Sequence, residues 1–339
     1  MRDSLADPSL AAQAREALKL SDKDAPRAEA LAREILAAAL KAGDRKAVLL
    51  SRYALGWIAV DAARFEEAAA LAAEGLAELA AAGEPASPKL LNLEGSAYRY
   101  LGMRGLAVER LQAAAALVRA SGRAEDQYPV LNNLALVLLE VGESGRALEL
   151  HFEAEAAAAA AGASAALLGI RSNRGRILIE LGRTEEAVPT LEETIAGARE
   201  PGLEPILADA LAELGRAKTL LGKLKEGEAD LRAAREIERR LSRTAKASQA
   251  REVLAENLLA QGRLAEAEAE SRAACEAARV SGFEPLLSAS VLLRARALEA
   301  LGRYREAAEA YRERIELDEA RNKAEGRAAL RGGGRGEGF

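Results

Sequence analysis

One small turn residue recurs along this chain at an almost constant interval, and that interval constrains the fold more than any other feature. The turn positions are Ala63, Gly102, Gly142, Gly182, Gly222, Gly262 and Gly302. Successive positions are 40 residues apart, except for 39 residues between the first two. Self-similarity at such a period indicates an array of like units, each packed on its neighbours, rather than a single central core.

Small residues occupy two further columns at fixed distances from each turn. Five residues after it stand Ala68, Ala107, Ala147, Ala187, Gly227, Ala267 and Ala307. Seven residues before it stand Gly56, Gly95, Ala135, Gly175, Gly215, Ala255 and Ala295. Such columns mark the line where two helices of a hairpin cross, because Gly and Ala let the backbones approach. A second glycine ends most of the following helices, so each period predicts a helix, a tight turn, a helix and a glycine stop.

The composition supports an all-helical chain. Half of the 339 residues are hydrophobic but only 3% are aromatic, so Ala and Leu must fill the core. Abundant Glu and Arg beside only nine Pro residues favour helix. Alternating runs rich in Val, Ile and Thr, which are typical of strands, are absent. The length suits two ordinary domains or one elongated repeat domain.

The turn pattern resembles that of the tetratricopeptide repeat (TPR) family. The stretches ALGWIAVDAARFEEA (54–68) and LEALGRYREAAEAY (298–311) show its small residue in the first helix, its turn, an aromatic residue two positions later and then Ala. NRGRILIELGRTEEA (173–187) departs from the pattern, since Thr184 stands where the aromatic residue belongs. The repeats are longer than the usual TPR of about 34 residues. They are similar to a longer-helix branch found in bacterial regulators and motor light chains.

This resemblance and the repeat count predict an all-α, right-handed superhelical solenoid of about seven antiparallel helix–turn–helix repeats, with a concave groove lined by each repeat's first helix. Residues 1–44 are expected to form an N-terminal half-repeat that caps the array, and residues 45–315 the solenoid itself. Residues 316–330 are expected to form a C-terminal capping helix. The glycine-rich ending, 331–339, is expected to be disordered.

Charge and cysteine content narrow the expected partners and compartment. The formal charge of −5 is mild and disfavours a phosphate-driven nucleic-acid binder. The single Cys cannot form an internal disulfide, and no Cys/His cluster suits structural zinc. No apolar run has the length of an export signal or a membrane helix. The expectation is a soluble cytoplasmic protein without a nucleic-acid or membrane partner.

The sequence gives no support to an enzymatic function. His151, the only His, is predicted to be a satisfied core residue, because core side-chain types fill the equivalent positions Leu111, Leu191, Leu231 and Tyr311. Cys275 is predicted to be a small buried hydrophobe. No nucleophile or carboxylate stands in a triad-like arrangement with His151. Because no phosphate loop, dinucleotide fingerprint or paired-carboxylate motif occurs, neither a cofactor nor a catalytic metal is predicted.

The concave side of the first helices is the predicted binding surface. Residues ten, six and three before each turn share one helix face. The predicted groove residues are Tyr53, Trp57, Asn92, Arg99, Tyr100, Asn132, Arg176 and Arg216. This face is aromatic at its N-terminal end, then amide-bearing, then basic. Its C-terminal end is acidic or mixed, through Glu252, Glu256 and Glu299.

Each part of this predicted groove has its own expected role. The aromatic end is expected to hold an apolar anchor, although packing between the first two hairpins is the alternative for Trp57. The family resemblance implies that Asn92 and Asn132 bind the backbone amides of an extended peptide, and the two later arginines are expected to bind a carboxylate. In the neighbouring column, Asn133 and Asn173 are expected to be structural hydrogen-bonding residues.

The function that follows is a non-catalytic interaction module that binds a peptide or an extended protein segment in its groove. The expected ligand carries an acidic or C-terminal carboxylate group. An alternative from another class is a sensory or regulatory subunit of a bacterial signalling system, acting through the helix at 311–330. Self-association into a homodimer is a further alternative, through terminal helices or the Ala-rich run at 153–168.

Overall fold

The structure is a computed structural model that describes residues 9–21, 24–241, 244–282 and 284–333. Within these ranges the chain forms sixteen α-helices and no strand. The chain divides into two compact units, which are taken separately below. Unit 1 comprises Met1–Leu101 and Leu106–Ala120, and unit 2 comprises Gly102–Gly105 and Ser121–Phe339.

The helices follow one another in antiparallel pairs. Unit 1 holds α1 (Leu10–Leu20), α2 (Ala25–Ala42), α3 (Arg45–Asp61), α4 (Phe65–Ala81), α5 (Pro88–Tyr100) and most of α6 (Arg104–Ser121). Unit 2 holds α7 (Ala124–Glu140), α8 (Ser144–Ala160), α9 (Ser164–Glu180), α10 (Thr184–Gly197), α11 (Glu204–Leu220), α12 (Leu224–Arg240), α13 (Thr244–Ala260), α14 (Leu264–Ser281), α15 (Glu284–Ala300) and α16 (Tyr304–Gly333).

The recurring turn residue closes each first helix in the left-handed conformation. Gly142 has φ of +83°, its N–H donates to Leu139 O at 3.0 Å, and the N–H of Glu143 donates to Leu138 O at 2.8 Å. These bonds satisfy carbonyls that the helix end would otherwise leave free. Ala63 does the same in the first such turn at φ of +58°, although an L side chain is disfavoured there. The turn therefore reverses the chain within three residues.

In each of three hairpins, a leucine of the second helix packs over a glycine of the first helix where the two helices cross. A Cβ built on Gly175 of α9 would lie 2.6 Å from Leu191 Cδ2 on α10. Gly95 faces Leu111 and Gly215 faces Leu231 at the same closeness. The missing side chain thus makes the space that the leucine fills, and close packing of this kind is sensitive to a single added methyl group.

The other hairpins do not carry this glycine–leucine pair. Where Ala replaces the glycine, the second helix has no leucine at the matching position, and the pairs are Ala135 with His151, Ala255 with Ser271 and Ala295 with Tyr311. The α3/α4 hairpin keeps Gly56, but there the space is filled by Leu93 of α5. In these hairpins, a leucine nine residues after the turn therefore occurs only where glycine stands seven residues before it.

The all-α fold class and its repeated helix–turn–helix hairpins are confirmed. Helices stand where the sequence predicts the two terminal caps. The described residues of the range 1–44 form α1 and α2, and α1 buries Ala11, Ala14 and Ala17 against its neighbours. No break separates 316–330 from the array, since α16 continues without interruption and Leu317 still packs on the cluster around α15. The predicted disordered tail is helical up to Gly333 and lies outside the described residues beyond it.

Candidate functional site

Consecutive first helices lie side by side within each unit. The contacts run from α3 to α5 in unit 1, and from α7 through α9, α11 and α13 to α15 in unit 2. Residues six and ten before each turn are one helical turn apart, so within each unit they form a row across its first helices. This row and the residues within one turn of it are called the inner face below.

The inner face of unit 1 begins with two aromatic rings. Tyr53 and Trp57 of α3 meet edge to face, with ring centroids 6.3 Å apart. Both are half-buried and pack on the hydrophobic cluster that includes Ala59, Phe65 and Leu93. The indole Nε1 of Trp57 is buried without a hydrogen-bond acceptor among the described residues. The pair thus combines the core packing and the surface exposure that the sequence left as alternatives.

Tyr100 and Arg99 are engaged in packing at the end of α5. The Tyr100 ring stacks on Phe65 with centroids 4.9 Å apart and planes 10° apart. The Arg99 guanidinium carbon lies 4.5 Å from the centroid of the Tyr100 ring, within the range of a cation–π contact. These two predicted groove residues therefore support each other and the adjoining hairpin.

Asn92 differs from the open groove residue expected of it. It is only 3% exposed, as is Ser96 one turn further along α5. Burial of a polar side chain is tolerated where its hydrogen bonds are made inside the protein. The inner face of unit 1 therefore presents the half-buried Tyr53 and Trp57 and the end of α5, and not an open amide at Asn92.

Two asparagines join neighbouring first helices in unit 2. Asn173 Nδ2 on α9 donates to Asn132 Oδ1 on α7 at 3.0 Å, and Asn132 Nδ2 approaches Asn133 Oδ1 at 3.5 Å. All three side chains are half-buried. Asn132 thus uses its acceptor within the protein and keeps amide N–H capacity for another group.

The two predicted carboxylate-binding arginines already face carboxylates. Arg176 lies 4.0 Å from Glu140, and Arg216 lies 2.5 Å from Glu180 and 3.9 Å from Glu213. Burial acts to lower the pKa of Arg216, but the nearby carboxylates outweigh it and the pKa is raised. Their side chains are 18% and 29% exposed, so both guanidiniums remain within reach from the inner face.

The two carboxyl groups of α13, Glu252 and Glu256, have raised pKa values. Burial, followed by the charge of Glu256, raises the pKa of Glu252 to about 8. Burial also raises the pKa of Glu256, against the opposing charges of Arg216 and Arg296. Glu252 makes no ion pair with any described residue, and it is half-buried.

The residues with catalytic potential are deeply buried. His151 is fully inaccessible, and neither ring nitrogen has a hydrogen-bond partner among the described residues, so the prediction of a satisfied histidine is wrong. Burial, with the charges of Arg176 and Arg174, lowers its pKa to about 3. Cys275 is 1% exposed, and burial raises its pKa to about 11.

The described ranges offer neither a metal-binding cluster nor a membrane-spanning helix. These ranges contain no group of three or more His, Cys, Asp or Glu side chains placed to hold a metal ion. They also contain no helix of the length and hydropathy needed to cross a membrane.

Sequence reasoning missed the carboxylate partners of the arginines. A signal was present: Glu140 and Glu180 each stand two residues before a turn, and an arginine follows each of them 36 residues later. That interval joins successive first helices, so the pairs recur with the repeat. The structure brings Asn132, Asn173 and the two arginines together in unit 2, while the aromatic residues belong to unit 1.

Known proteins with similar features support the repeat assignment. The family model for the tetratricopeptide repeat matches residues 289–321. No curated protein sequence matches this chain. The TPR resemblance predicted from the turn pattern is confirmed by this match and by the solved structures of similar fold.

Three solved structures share the fold over most of their length. NprR in complex with its cognate peptide NprX is 17% identical with a TM-score of 0.68, covering 91% of this chain and 86% of that one. A Rap protein complexed with Competence and Sporulation Factor is 16% identical with a TM-score of 0.65, covering 93% and 98%. Aspartyl phosphate phosphatase F from Bacillus subtilis is 12% identical with a TM-score of 0.60, covering 94% and 96%.

Proposed function

We propose that this tetratricopeptide-repeat protein is a non-catalytic interaction module that binds an extended peptide along the inner face of the first helices of unit 2, with the inner face of unit 1 as a separate apolar contact surface. The observation that carries the proposal is the row of half-buried amide and guanidinium side chains on the consecutive first helices α7, α9 and α11. Packed helices lie about 8–10 Å apart, and an extended chain rises about 3.3 Å per residue. A peptide laid across the row would therefore present roughly one residue in three to each helix.

The proteins of similar fold support this proposal. NprR and the Rap protein were both solved with a peptide bound, and their likeness to this chain extends over most of each molecule. The identity is low, so the likeness concerns the fold, and the ligand class is our inference. A peptide burying about 1,000 Å² or more reaches micromolar to nanomolar affinity, depending on how well the groove is preorganised.

The inner face of each unit has its own proposed role. In unit 1, Tyr53 and Trp57 would hold an apolar side chain, because aromatic side chains supply large contact areas at interfaces. In unit 2, Asn132 would donate from its amide N–H to a backbone carbonyl of the peptide. Arg176 and Arg216 would bind a carboxylate, either acidic or C-terminal, in competition with their internal partners.

Selection from a random peptide library against the full chain tests the proposal. A variant with Trp57→Ala, Asn132→Ala and Arg176→Glu serves as the comparison, and Arg305→Glu, at a side chain that is 93% exposed outside the inner face, serves as the control. We expect peptides that bind the wild type and the control but lose most of their affinity for the triple variant in calorimetry. Equal binding to all three proteins would contradict the proposal and move the site elsewhere.

A second candidate function is that of a regulatory subunit acting through its last helix. The observation in its favour is the length of α16, which has 30 residues, whereas α15, against which it packs, has 17. Truncation after residue 315 would then abolish binding of a partner protein while peptide binding survived. Light scattering of the full chain and of the truncated chain over a dilution series tests whether this helix instead mediates a homodimer.

A further inference from the structure

Acidic and basic side chains are interspersed across the inner face of unit 2. We call this row the charge ladder, and it consists of Glu140 on α7, Arg176 and Glu180 on α9, Arg216 on α11, Glu252 and Glu256 on α13, and Arg296 on α15. The rungs at the α7 end join neighbouring helices, since Arg176 faces Glu140 and Arg216 faces Glu180. Further along, Glu256 lies within the electrostatic influence of both Arg216 and Arg296.

The charge ladder disfavours binding of a ligand whose charged groups all have the same sign. A ligand carboxylate that pairs with Arg216 must compete with Glu180 for the same guanidinium. If it displaces that glutamate, a carboxylate beside the site loses its counter-charge, and such an unpaired charge opposes binding. For a purely acidic peptide, the cost of leaving that glutamate unpaired therefore offsets much of the free energy gained by pairing with Arg216. A ligand that also brings a positive charge compensates the carboxylates of the ladder.

Of the two carboxylates on α13, Glu252 has fewer opposing charges: Arg216 alone acts on it, whereas Arg216 and Arg296 both act on Glu256. Glu252 makes no ion pair with any described residue, in contrast to Glu140 and Glu180. It lies one helical turn from Glu256, on the helix after the one that carries Arg216. Burial and the charge of Glu256 raise the pKa of Glu252 to about 8 against the opposing charge of Arg216, and an arriving ammonium or guanidinium group would lower this pKa and favour the carboxylate form.

We propose that the peptide bound by unit 2 carries mixed charge, with a carboxylate at Arg216 and an ammonium or guanidinium group at Glu252. Neighbouring first helices are about 8–10 Å apart, which is about three residues of an extended chain. The acidic and basic residues of the ligand therefore stand three positions apart. This inference rests on the proposed peptide-binding function and gives the chemistry of its ligand.

A conservative substitution at Glu252 tests the inference. Peptides selected from the random library on the wild-type full chain are sequenced, and the tightest one is made with a fluorescent label. A twin peptide has its basic residue replaced by Gln. Both are titrated against the wild type, Glu252→Gln and a matched control, Glu193→Gln, whose carboxylate lies exposed on the second helix α10. Circular dichroism shows that each protein is folded.

We expect the selected peptides to be rich in acidic and basic residues three positions apart. The wild type and Glu193→Gln should bind the twin about tenfold more weakly than its parent, whereas Glu252→Gln should bind both equally. Peptides that bind the inner face without this pairing, or a preference for the basic residue that survives Glu252→Gln, would overturn the inference and leave peptide binding standing. Failure to select any peptide that distinguishes the wild type from the triple inner-face variant would overturn peptide binding itself, and the inference with it.

Discussion

Two neighbouring hairpins of unit 2, α7/α8 and α9/α10, build the same helix crossing from different side chains. In α9/α10 the Leu191 side chain lies where a Cβ on Gly175 would stand. In α7/α8 the equivalent positions hold Ala135 and His151, both fully buried. The first crossing is apolar throughout, whereas the second buries two ring nitrogens without a partner among the described residues. The crossing therefore accepts a new side chain when both positions change together.

Lowering the pH should give the largest difference in stability between the two hairpins. His151 has a pKa of about 3 in the folded protein, against about 6.5 in an unfolded chain. The unfolded chain therefore binds more protons between these values, and the stability present above pH 6.5 falls by about 1.4 kcal/mol per pH unit as the pH decreases. Urea unfolding from pH 7.5 to pH 4 should show this extra loss in the wild type and not in His151→Gln. An NMR titration of His151 with a midpoint near 6.5 would contradict it.

Adding a methyl group to the glycine crossing should have the next largest effect. Gly175→Ala places a Cβ 2.6–2.7 Å from Leu191, and overpacking of this kind costs about 1–3 kcal/mol. The better helix propensity of Ala recovers up to about 1 kcal/mol of that. Gly145→Ala in α8 is the matched control, because a Cβ there meets nothing within 4 Å. Denaturant midpoints should fall for Gly175→Ala and rise slightly for the control.

Converting the histidine hairpin into a glycine–leucine one should reveal the coupling between the columns. His151→Leu alone sets a leucine against the Cβ of Ala135, whereas the added change Ala135→Gly opens the space that Leu191 uses in the next hairpin. We expect the double variant to be more stable than the sum of the single changes by about 1–2 kcal/mol. Unfolding free energies of the four proteins in a double-mutant cycle measure this coupling. Additive changes in unfolding free energy would show that positions 135 and 151 act independently.

The turns should give the smallest difference. Gly142 and Ala63 adopt the same left-handed conformation, which costs an L side chain about 1–2 kcal/mol. Gly142→Ala should therefore destabilise the α7/α8 hairpin by about 1 kcal/mol, and Ala63→Gly should stabilise the α3/α4 hairpin by somewhat less. Hydrogen exchange of the flanking helices distinguishes the two local effects. Equal protection in both variants and the wild type would mean that the left-handed alanine carries no strain.

Features that depend on the repeat period could be predicted from the sequence. The positions of Gly142 and its equivalents gave the turns, because glycine lacks a Cβ and accepts a positive φ without strain. The columns seven before and five after each turn gave the crossing line. Both rules are local, and they act again in each hairpin. These rules did not predict the length of α16, because nothing in the repeat period marks where that helix ends.

Features that depend on the stacking of hairpins could not be predicted in the same way. The ion pair of Arg216 with Glu180 joins helices whose relative offset is set by packing, so the exposed row of arginines seen in the sequence is partly neutralised in the structure. Asn92 is buried although its column suggests an open face. His151 was placed in the core correctly, but whether its nitrogens find partners depends on neighbours that no periodic rule specifies.

The glycine–leucine crossing also has a consequence for how such an array can lengthen. Both members of each pair, such as Gly95 and Leu111, belong to one hairpin, with the turn between them. A gene duplication with end points in the loops between hairpins copies the matched pair whole. One with end points in the turns would join first and second helices from different hairpins and set a leucine against Ala135, or a histidine against a glycine. The structure thus makes the hairpin, and not the 40-residue period in an arbitrary frame, the unit by which this protein could grow or shrink without losing its packing.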